Sequence, residues 1–459
     1  MSRRKMIAAA AIATSAAIPM AVHAATPITN TIDGVEWRFM LDTPTGTEGT
    51  AMLGINPATS GSTNRGKDEL HGCSTSVSVY AENIPWEFDY DGVHYTVTKV
   101  ADGAFYNNTK LTGIITIPPA VTELRDHAFQ GCGGLTGLRG GDSVTLWGTS
   151  AFNACANMKG AYPDLTAATS FGEFAFCKAP LTGTLKLGNS LTTIARLAFD
   201  VCRFTGSAII PSSVTAIGET SSSSYDYGTF RSNPNLTAIW VKGKAAAASQ
   251  TYTTVGCNAF AKSNTSLKMI LMGKNTKGVN RGLTGNKAML YGDNGVQVFV
   301  PDNGFWNGLV AGGSNNKIWY YGPTNEFDLV VDDNMKRATF TPTTVNALTN
   351  ALAWASSFKE HFDLDPRISV TNTLDLTDVT ITSAMTSGVT FDRLMFSAKT
   401  QAQLRGILDT FPATTPISID PTGLTENMVI PDDYSNVYVN TVPGVTIKRT
   451  INGLVIIVK

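Results

Sequence analysis

Residues 111–132 read LTGIITIPPAVTELRDHAFQGC, and this stretch decides the fold because its pattern recurs along the chain. The pair that closes the pattern, a small residue followed by phenylalanine, returns at regular intervals. The seven phenylalanines are Phe105, Phe129, Phe152, Phe176, Phe199, Phe230 and Phe260. Successive phenylalanines are separated by 24, 23, 24, 23, 31 and 30 residues. Self-similarity at such a period is the signature of a repeat architecture.

Each copy contains the parts of one coil. A large apolar residue follows each phenylalanine by five to seven positions, and the full copies carry a corner such as Ile117-Pro118 or Ile210-Pro211. One copy is too small to bury its own apolar side chains, but stacked copies share a continuous core. We therefore predict a right-handed, β-rich solenoid whose strands form parallel ladders about 4.8 Å apart. The copies at 135–152 and 158–176 lack the Ile-Pro corner, so the motif does not predict the local coil shape there.

The pattern from Leu111 to Cys132 resembles the BspA-type leucine-rich repeat of bacterial surface and secreted proteins. The resemblance covers residues 92–272, which form about seven repeats and roughly two fifths of the chain. It implies a leucine-rich-repeat fold, a location at the cell surface and an adhesive or host-interacting role. It transfers no catalytic residue and no particular ligand.

The flanking segments have different patterns. Residues 25–91 predict a β cap over the first coil, because Trp86–Val97 has the pattern of two strands around the turn Asp91-Gly92. In residues 273–325, two apolar runs predict closing strands that cap the last coil.

Residues 326–459 predict a separate small α/β domain. Apolar residues recur at helical spacing from Thr343 to Phe362, and Thr400 with Gln403 forms a capping box that begins a second helix. Strand-like runs lie between and after these helices, and the last run contains an Asn452-Gly453 hairpin turn.

Residues 1–24 have the three parts of a secretory signal. Arg3, Arg4 and Lys5 precede an apolar stretch from Met6 to Met20, and small residues end the segment at Ala24. We expect cleavage after Ala24 and an exported protein that is secreted or held at the cell surface, with the periplasm as a further location. No later run approaches 18 apolar residues, so we expect no transmembrane segment in the mature chain.

Charge argues against nucleic acid as a partner. The sequence has 35 basic and 36 acidic residues, and removal of the three basic residues of the signal leaves 32 basic against 36 acidic. The mature chain therefore has a formal net charge of −4 and no basic cluster. A protein or glycan ligand remains the expected partner.

The cysteines are predicted to have a structural role inside the coils. Cys132, Cys155 and Cys202 each stand three residues after a repeat phenylalanine, where other copies carry Asn108, Asn233 or Ser263. We predict an inward ladder of small, weakly polar groups that bond to the coil backbone. A disulfide between Cys132 and Cys155 stays open, because neighbouring coils can bring two Cα atoms within bridging distance.

No motif predicts catalysis, a cofactor or a metal site. The four histidines of the mature chain, His71, His94, His127 and His361, show no metal-ligand or nucleophile spacing. The acidic pairs, such as Asp332-Asp333, do not form a calcium loop. We therefore predict a non-enzymatic protein with no catalytic, cofactor-binding or metal-binding residues.

The candidate ligand contacts lie on strands and insertions. If Leu185 and Leu187 point inward, then strand alternation exposes Lys186 and, in other copies, Thr116 and the apolar residues Ile209, Trp240 and Leu271. A one-residue slip would instead turn Trp240 inward. The two stretched repeats add insertions that contain Tyr225, Tyr227 and Tyr252. Insertions on one face of a solenoid often bind ligands, and Tyr with Ser is common in contact loops.

Three functions follow from these observations. The first is a secreted or surface-displayed recognition protein that binds a protein or glycan. The second is a structural envelope or assembly component whose C-terminal domain docks to partners. The third is a hydrolase with its site in residues 326–459, which no motif supports.

Overall fold

The repeat phenylalanines form a continuous stack through the core of the solenoid. The computed structural model describes residues 26–55, 71–218, 228–244, 252–256, 259–260, 263–278, 295–306, 315–376, 380–398, 400–420, 428–430, 434, 437–439, 447–451 and 454–458. Within these ranges all seven phenylalanines are fully buried. Neighbouring rings lie 5.0–6.0 Å apart between centroids, with interplanar angles from 7° to 27°. Near-parallel aromatic pairs of this kind each add about 0.5–1.5 kcal/mol beyond the burial of their area.

Backbone hydrogen bonds connect the same turns from coil to coil. The amide of Phe105 donates to the carbonyl of Ala128 at 2.7 Å, and the amide of Phe129 donates to that of Ala151 at 2.8 Å. The next four phenylalanines repeat this bond at 2.8–3.0 Å. The small residue before each phenylalanine is buried because the next coil passes directly over it.

The short strands of the coils form one long ladder. The strands before the first full coil are β1 Thr26–Ile32, β2 Val35–Leu41, β3 Glu48–Leu53, β4 Val79–Tyr80, β5 Glu87–Tyr90 and β6 Val93–Val100. The repeat region continues with β7 Leu111–Ile117, β8 Glu123–Leu124, β9 Leu135–Gly140, β10 Leu146–Trp147, β11 Ser170–Phe171, β12 Thr182–Gly183, β13 Thr193–Ile194, β14 Arg203–Phe204, β15 Gly206–Ile210, β16 Ala216–Ile217, β17 Leu236–Val241, β18 Thr253–Val255, β19 Met269–Met272 and β20 Thr276–Gly278.

The 12-stranded sheet runs in the order β1-β2-β3-β6-β8-β10-β11-β13-β16-β18-β20, with β5 paired to β6. From β3 onward the ladder is parallel. The antiparallel hairpin β5/β6 turns at Asp91 and Gly92, both in the left-handed region, as the sequence predicted.

A second ladder is interrupted at the copies that lack the Ile-Pro corner. It consists of β4-β7-β9, then the pair β12-β14, then β15-β17-β19-β21-β22, where β21 is Gln297–Pro301 and β22 is Lys317–Tyr321. Between the first two pieces, only isolated bridges such as Gly137 to Lys159 continue the pairing. The interruption falls on the two copies without the Ile-Pro corner, for which the repeat motif predicts no local coil shape.

The residues after the solenoid alternate strands and helices. They are β23 Phe327–Asp332, β24 Arg337–Pro342, α1 Val345–Phe362, β25 Asp365–Ser369, β26 Leu374–Asp375, α2 Ser383–Thr386, β27 Thr390–Ser397, α3 Gln401–Thr410, β28 Ile417–Asp420, β29 Met428–Ile430, β30 Val437–Val439, β31 Ile447–Ile451 and β32 Leu454–Val458. The main sheet has the order β23-β24-β25-β27-β28-β30 and is parallel from β24 onward. The capping box of Thr400 and Gln403 begins α3, as predicted.

The predicted cysteine ladder is present. The thiols of Cys132, Cys155 and Cys202 donate to the carbonyl oxygens of Phe105, Phe129 and Phe176 in the preceding coils, at 3.0, 3.1 and 3.3 Å. Asn233 takes the same role, because its amide nitrogen donates to the carbonyl of Phe199 at 2.8 Å.

The last copy departs from the predicted ladder. Ser263 is exposed with a left-handed backbone, and Asn264 lies buried in its place. The side chain of Asn264 donates to the carbonyl of Phe260 at 2.6 Å, so the polar position has moved by one residue.

The five described cysteines are buried free thiols. Burial raises the pKa of Cys155 to about 12, and burial together with the charge of Asp200 raises that of Cys177 to about 12. Because the folded chain holds these protons more tightly than the unfolded chain does, their contribution to stability is present at neutral pH. It is lost as the pH rises toward 12.

The stack predicts a large cost for removal of one ring. We expect Phe152→Ala to lower the free energy of unfolding by about 3–5 kcal/mol, because the ring packs between Phe129 and Phe176 in a core that cannot collapse freely. Urea unfolding followed by circular dichroism measures the change. Tyr80→Ala is the control, since Tyr80 is 64% exposed and its loss should change stability by no more than about 0.5 kcal/mol. Equal losses in the two variants would contradict the stack.

The thiol ladder predicts cysteines that do not react in the folded protein. Cys257 lies outside the described residues, so the measurement uses a Cys257→Ser background. At pH 8 we expect a thiol reagent to leave the native protein unlabelled over a time in which guanidinium-unfolded protein reacts completely, because the thiolate is the nucleophile. Rapid native labelling would contradict this expectation. Fewer than five thiols after unfolding without reductant would indicate a disulfide.

Candidate functional site

The outward apolar positions of the second ladder form a single row. Strand pairing places Ile209 beside Trp240, Trp240 beside Leu271, Leu271 beside Phe299, and Phe299 beside Trp319. We call these five residues the outward row. Their neighbours Ile239 and Val241 point into the solenoid core instead. The predicted alternation is therefore confirmed and the one-residue slip is excluded, while Phe299 and Trp319 extend the row beyond the residues that the sequence singled out.

The expectation that this row is exposed is wrong, because the C-terminal region covers it. Trp240 is 3% exposed and Leu271 is fully buried, and Ile209 packs against the same cluster. The Trp240 ring lies 5.9 Å from that of Phe362, at the end of α1. Further along α1, Trp354 lies 4.9 Å from Phe299 and 4.7 Å from Trp319.

Helix α1 is packed on two sides. It touches the outward row on one side and its own sheet on the other, where Phe358 lies 4.9 Å from Phe340. Polar contacts border the interface, since Ser207 donates to the carbonyl of His361, and Lys242 lies 2.6 Å from a carboxylate oxygen of Asp333. Each large apolar side chain buried here stabilises the contact by about 1.5–3 kcal/mol. The repeat region and the C-terminal region therefore share one hydrophobic cluster.

This interface predicts that the repeats need the C-terminal region for solubility. We expect a chain ending at Asn325 to self-associate and to bind a hydrophobic dye, because Trp240, Phe299 and Trp319 become exposed as one apolar patch. Size-exclusion chromatography and dye fluorescence measure both properties. The same truncation with these three residues changed to Thr should regain the monomer. A truncated chain that is monomeric and dye-free without those changes would refute the prediction.

Tyr252 lies in a different place, beside the end of the first ladder. Its ring meets that of Phe305 edge to face at 4.8 Å, and the ammonium of Lys277 lies 5.9 Å from its centroid. Phe305 is 43% exposed. We call Tyr252, Phe305 and Lys277 the aromatic patch. Sequence reasoning found Tyr252 but missed Phe305, whose contact with Tyr252 joins segments more than fifty residues apart.

Local bonds hold the aromatic patch in place. The side chain of Asn303 accepts a hydrogen bond from the amide of Phe305 at 3.1 Å and donates to the carbonyl of Thr276 at 2.9 Å. Pairing of Thr254 with Lys277 puts Lys277 on the outer side of the ladder. The patch is therefore attached to the two final coils rather than to a free loop.

The remaining candidate residues fall into two groups. Tyr225 and Tyr227 lie outside the described residues. Thr116 and Lys186 are exposed, as the alternation predicted, on the part of the second ladder that precedes the outward row.

The side chains that could bind a metal ion are dispersed in the described part of the chain. There, no three His, Cys, Asp or Glu side chains are grouped so as to hold a metal ion. Among the same residues, no helix has the length and apolar character needed to cross a membrane. Asp200 is a buried carboxylate, and it accepts two hydrogen bonds from Arg231 at 2.8 and 2.7 Å. This ion pair connects two neighbouring coils and is a structural contact.

Comparison with known families matches residues 93–205 and 166–283 to the BspA type leucine rich repeat region, in six copies. The chain carries a BspA-type leucine-rich repeat region. The resemblance that the motif of residues 111–132 indicated is thereby confirmed, and the BspA-type repeats account for the coils described above. A comparison with curated proteins finds no match.

Three solved structures are similar to this chain. A leucine rich cell surface protein from Faecalibacterium prausnitzii is 15% identical over 65% of this chain and 96% of its own, with a TM-score of 0.30. The pneumococcal vaccine antigen PcpA is 13% identical over 91% of this chain and 100% of its own, with a TM-score of 0.34. A leucine-rich repeat protein from Bacteroides ovatus is 13% identical over 66% and 100%, with a TM-score of 0.17.

Proposed function

We propose that this protein is exported, is secreted or held at the cell surface, and recognises a protein or glycan partner without catalysing a reaction. The single observation that carries the proposal is the aromatic patch. An exposed Phe305 ring, set at 4.8 Å from Tyr252 and beside Lys277, offers an apolar surface and a cation on a rigid support. Aromatic side chains of this kind dominate the binding energy of many recognition surfaces.

The position of the patch favours recognition by an extended surface. The patch lies at the end of the first ladder. On the outer side of that ladder, strand pairing aligns Lys277 with one residue from each of the four preceding strands, namely Thr254, Ala216, Thr193 and Ser170. These side chains are small, so a partner that contacts Phe305 can also approach the ladder closely. Repeat proteins commonly bind partners over such extended surfaces.

Export is supported by the N-terminal pattern of residues 1–24 and by the BspA-type repeats. Free thiols do not argue against it, because the described cysteines are enclosed in the coils and unavailable to oxidants.

The alternative of an assembly component gains less support. That hypothesis assigns docking to the C-terminal region, but the apolar face of α1 is already occupied by the outward row. The aromatic patch, in contrast, is accessible in the folded chain.

The proposal is tested with an array of glycans and extracellular-matrix proteins probed with the mature chain. We expect dose-dependent binding that weakens about tenfold in Phe305→Ala and in Tyr252→Ala, because each change removes a stacking surface worth roughly 1–2 kcal/mol. Tyr90→Ala is the matched control, since Tyr90 is also a surface aromatic, 37% exposed, but belongs to the hairpin at the other end.

The outcomes separate the hypotheses. Loss of binding in the two patch variants and not in Tyr90→Ala supports recognition through the patch. Binding that survives all three changes places recognition elsewhere. A blank array with the unchanged chain counts against the recognition function itself.

A further inference from the structure

A cleft of about 320 Å³ lies where the repeats meet the C-terminal region, and it shares no lining residue with the aromatic patch. Its floor includes Trp240, Leu271 and Tyr321. Lys242, Lys244 and Lys274 belong to the solenoid side of its lining, and β23 with the turn that follows it forms the opposite wall.

The three lysines are brought together by two consecutive coil corners. Residues 242–244 follow β17 and residues 273–275 follow β19, and these strands pair in parallel. The amide of Gly273 donates to the carbonyl of Val241 at 2.8 Å, and the side chain of Asn275 donates to the backbone carbonyl of Lys244 at 2.7 Å. A Cβ at Gly273 would lie 1.9 Å from the carbonyl oxygen of Lys242, so only glycine permits this approach. The corners are thus one strand spacing apart, about 4.8 Å.

The lysines have different partners. Lys242 forms an ion pair with Asp333 at 2.6 Å and lies over the Trp240 ring. It therefore connects the two walls of the cleft. Burial opposes ionisation of Asp333, but the hydrogen bonds and charges of Lys242 and Lys336 outweigh it and lower the pKa of that carboxyl. Lys274 reaches Asp328 only at 3.7 Å and its side chain is 54% exposed. Lys244 donates to the carbonyl of Ser213 at 3.3 Å, and among the described residues no carboxylate lies within 4.0 Å of it.

Charge and shape define the ligand that fits. Lys242 and, from outside the lining, Lys336 contact Asp333 at 2.6 and 3.6 Å, and Lys274 contacts Asp328 at 3.7 Å. Among the described residues, Lys244 therefore carries the one positive charge of the lining that no carboxylate contacts. A monoanion balances that charge, whereas a dianion such as a phosphate monoester would also meet repulsion from the two carboxylates.

We propose that this cleft binds a small ligand that carries a single carboxylate. Lys244 and Lys274 hold the carboxylate, and the body of the ligand lies over the apolar floor. The carboxylate has two possible sources, an acidic sugar residue or the free C-terminus of a peptide. The cleft and the aromatic patch have no residue in common, so the proposal does not depend on the proposed recognition function.

The test is isothermal titration of the full mature chain with D-glucuronate and with an N-acetylated dipeptide that has a free C-terminus. Glucose and the corresponding dipeptide amide are the uncharged controls. We expect at least one carboxylate to bind, and the double variant Lys244→Gln/Lys274→Gln to weaken it by tenfold or more. Lys268→Gln is the matched control, because Lys268 is exposed just before β19 and does not line the cleft. Higher salt should also weaken binding, since the lysines are partly exposed.

Each outcome decides the proposal. Binding of glucuronate and not of glucose identifies an acidic sugar as the source, and binding of the free dipeptide and not of its amide identifies a peptide terminus. The inference is overturned if neither carboxylate binds at about 10 mM, if the uncharged controls bind equally, or if Lys268→Gln weakens binding as much as the double variant. Phe305→Ala should bind the carboxylate normally, which keeps this test separate from the array.

Discussion

The stacking of one coil on the next, through the Ala-Phe turn, is the constraint on which the rest of the structure depends. At this turn the backbone of one coil bonds to the next at 2.7–3.0 Å while the phenylalanine rings stack at 5.0–6.0 Å. Both distances require that nothing larger than a small side chain precede the phenylalanine. Three residues after the phenylalanine, the thiol of Cys132 or Cys155 or the side-chain amide of Asn233 donates a hydrogen bond to the carbonyl of the phenylalanine in the preceding coil. These polar side chains therefore belong to the same coil-to-coil contact.

The coils tolerate large changes in length as long as this turn is preserved. The repeat lengthens from 23 to 31 residues between Phe199 and Phe230, yet the residues that follow these two rings, Asp200 and Arg231, form a bidentate contact across the coils. Asp200 is almost completely buried, so removal of Arg231 alone would leave an uncompensated charge, which typically costs about 3–5 kcal/mol. The stack itself therefore continues across the lengthened repeat.

The same regularity explains why one outer face of the solenoid, the outward row, is buried. Because parallel strands keep their register, apolar residues at one outward position of successive coils line up as a continuous row. A row of Trp, Leu and Phe side chains needs a cover, and α1 supplies it with Trp354, Phe358 and Phe362. Strand β23 of the same C-terminal region forms one wall of the lysine-lined cleft, and the aromatic patch at the ends of the last coils stays exposed.

The repeat, the inward cysteine ladder, the outward register of Trp240 and the helices α1 and α3 could be predicted from the sequence, because each depends on local periodicity. The exposure of Trp240, the role of Phe305 and the meeting of Lys244 with Lys274 could not. These depend on which segments lie against each other after the chain has folded, and contacts between residues 240 and 362, or 252 and 305, leave no periodic signal in the sequence. Sequence periodicity thus determined which way each side chain points, and only the tertiary structure decided what it meets.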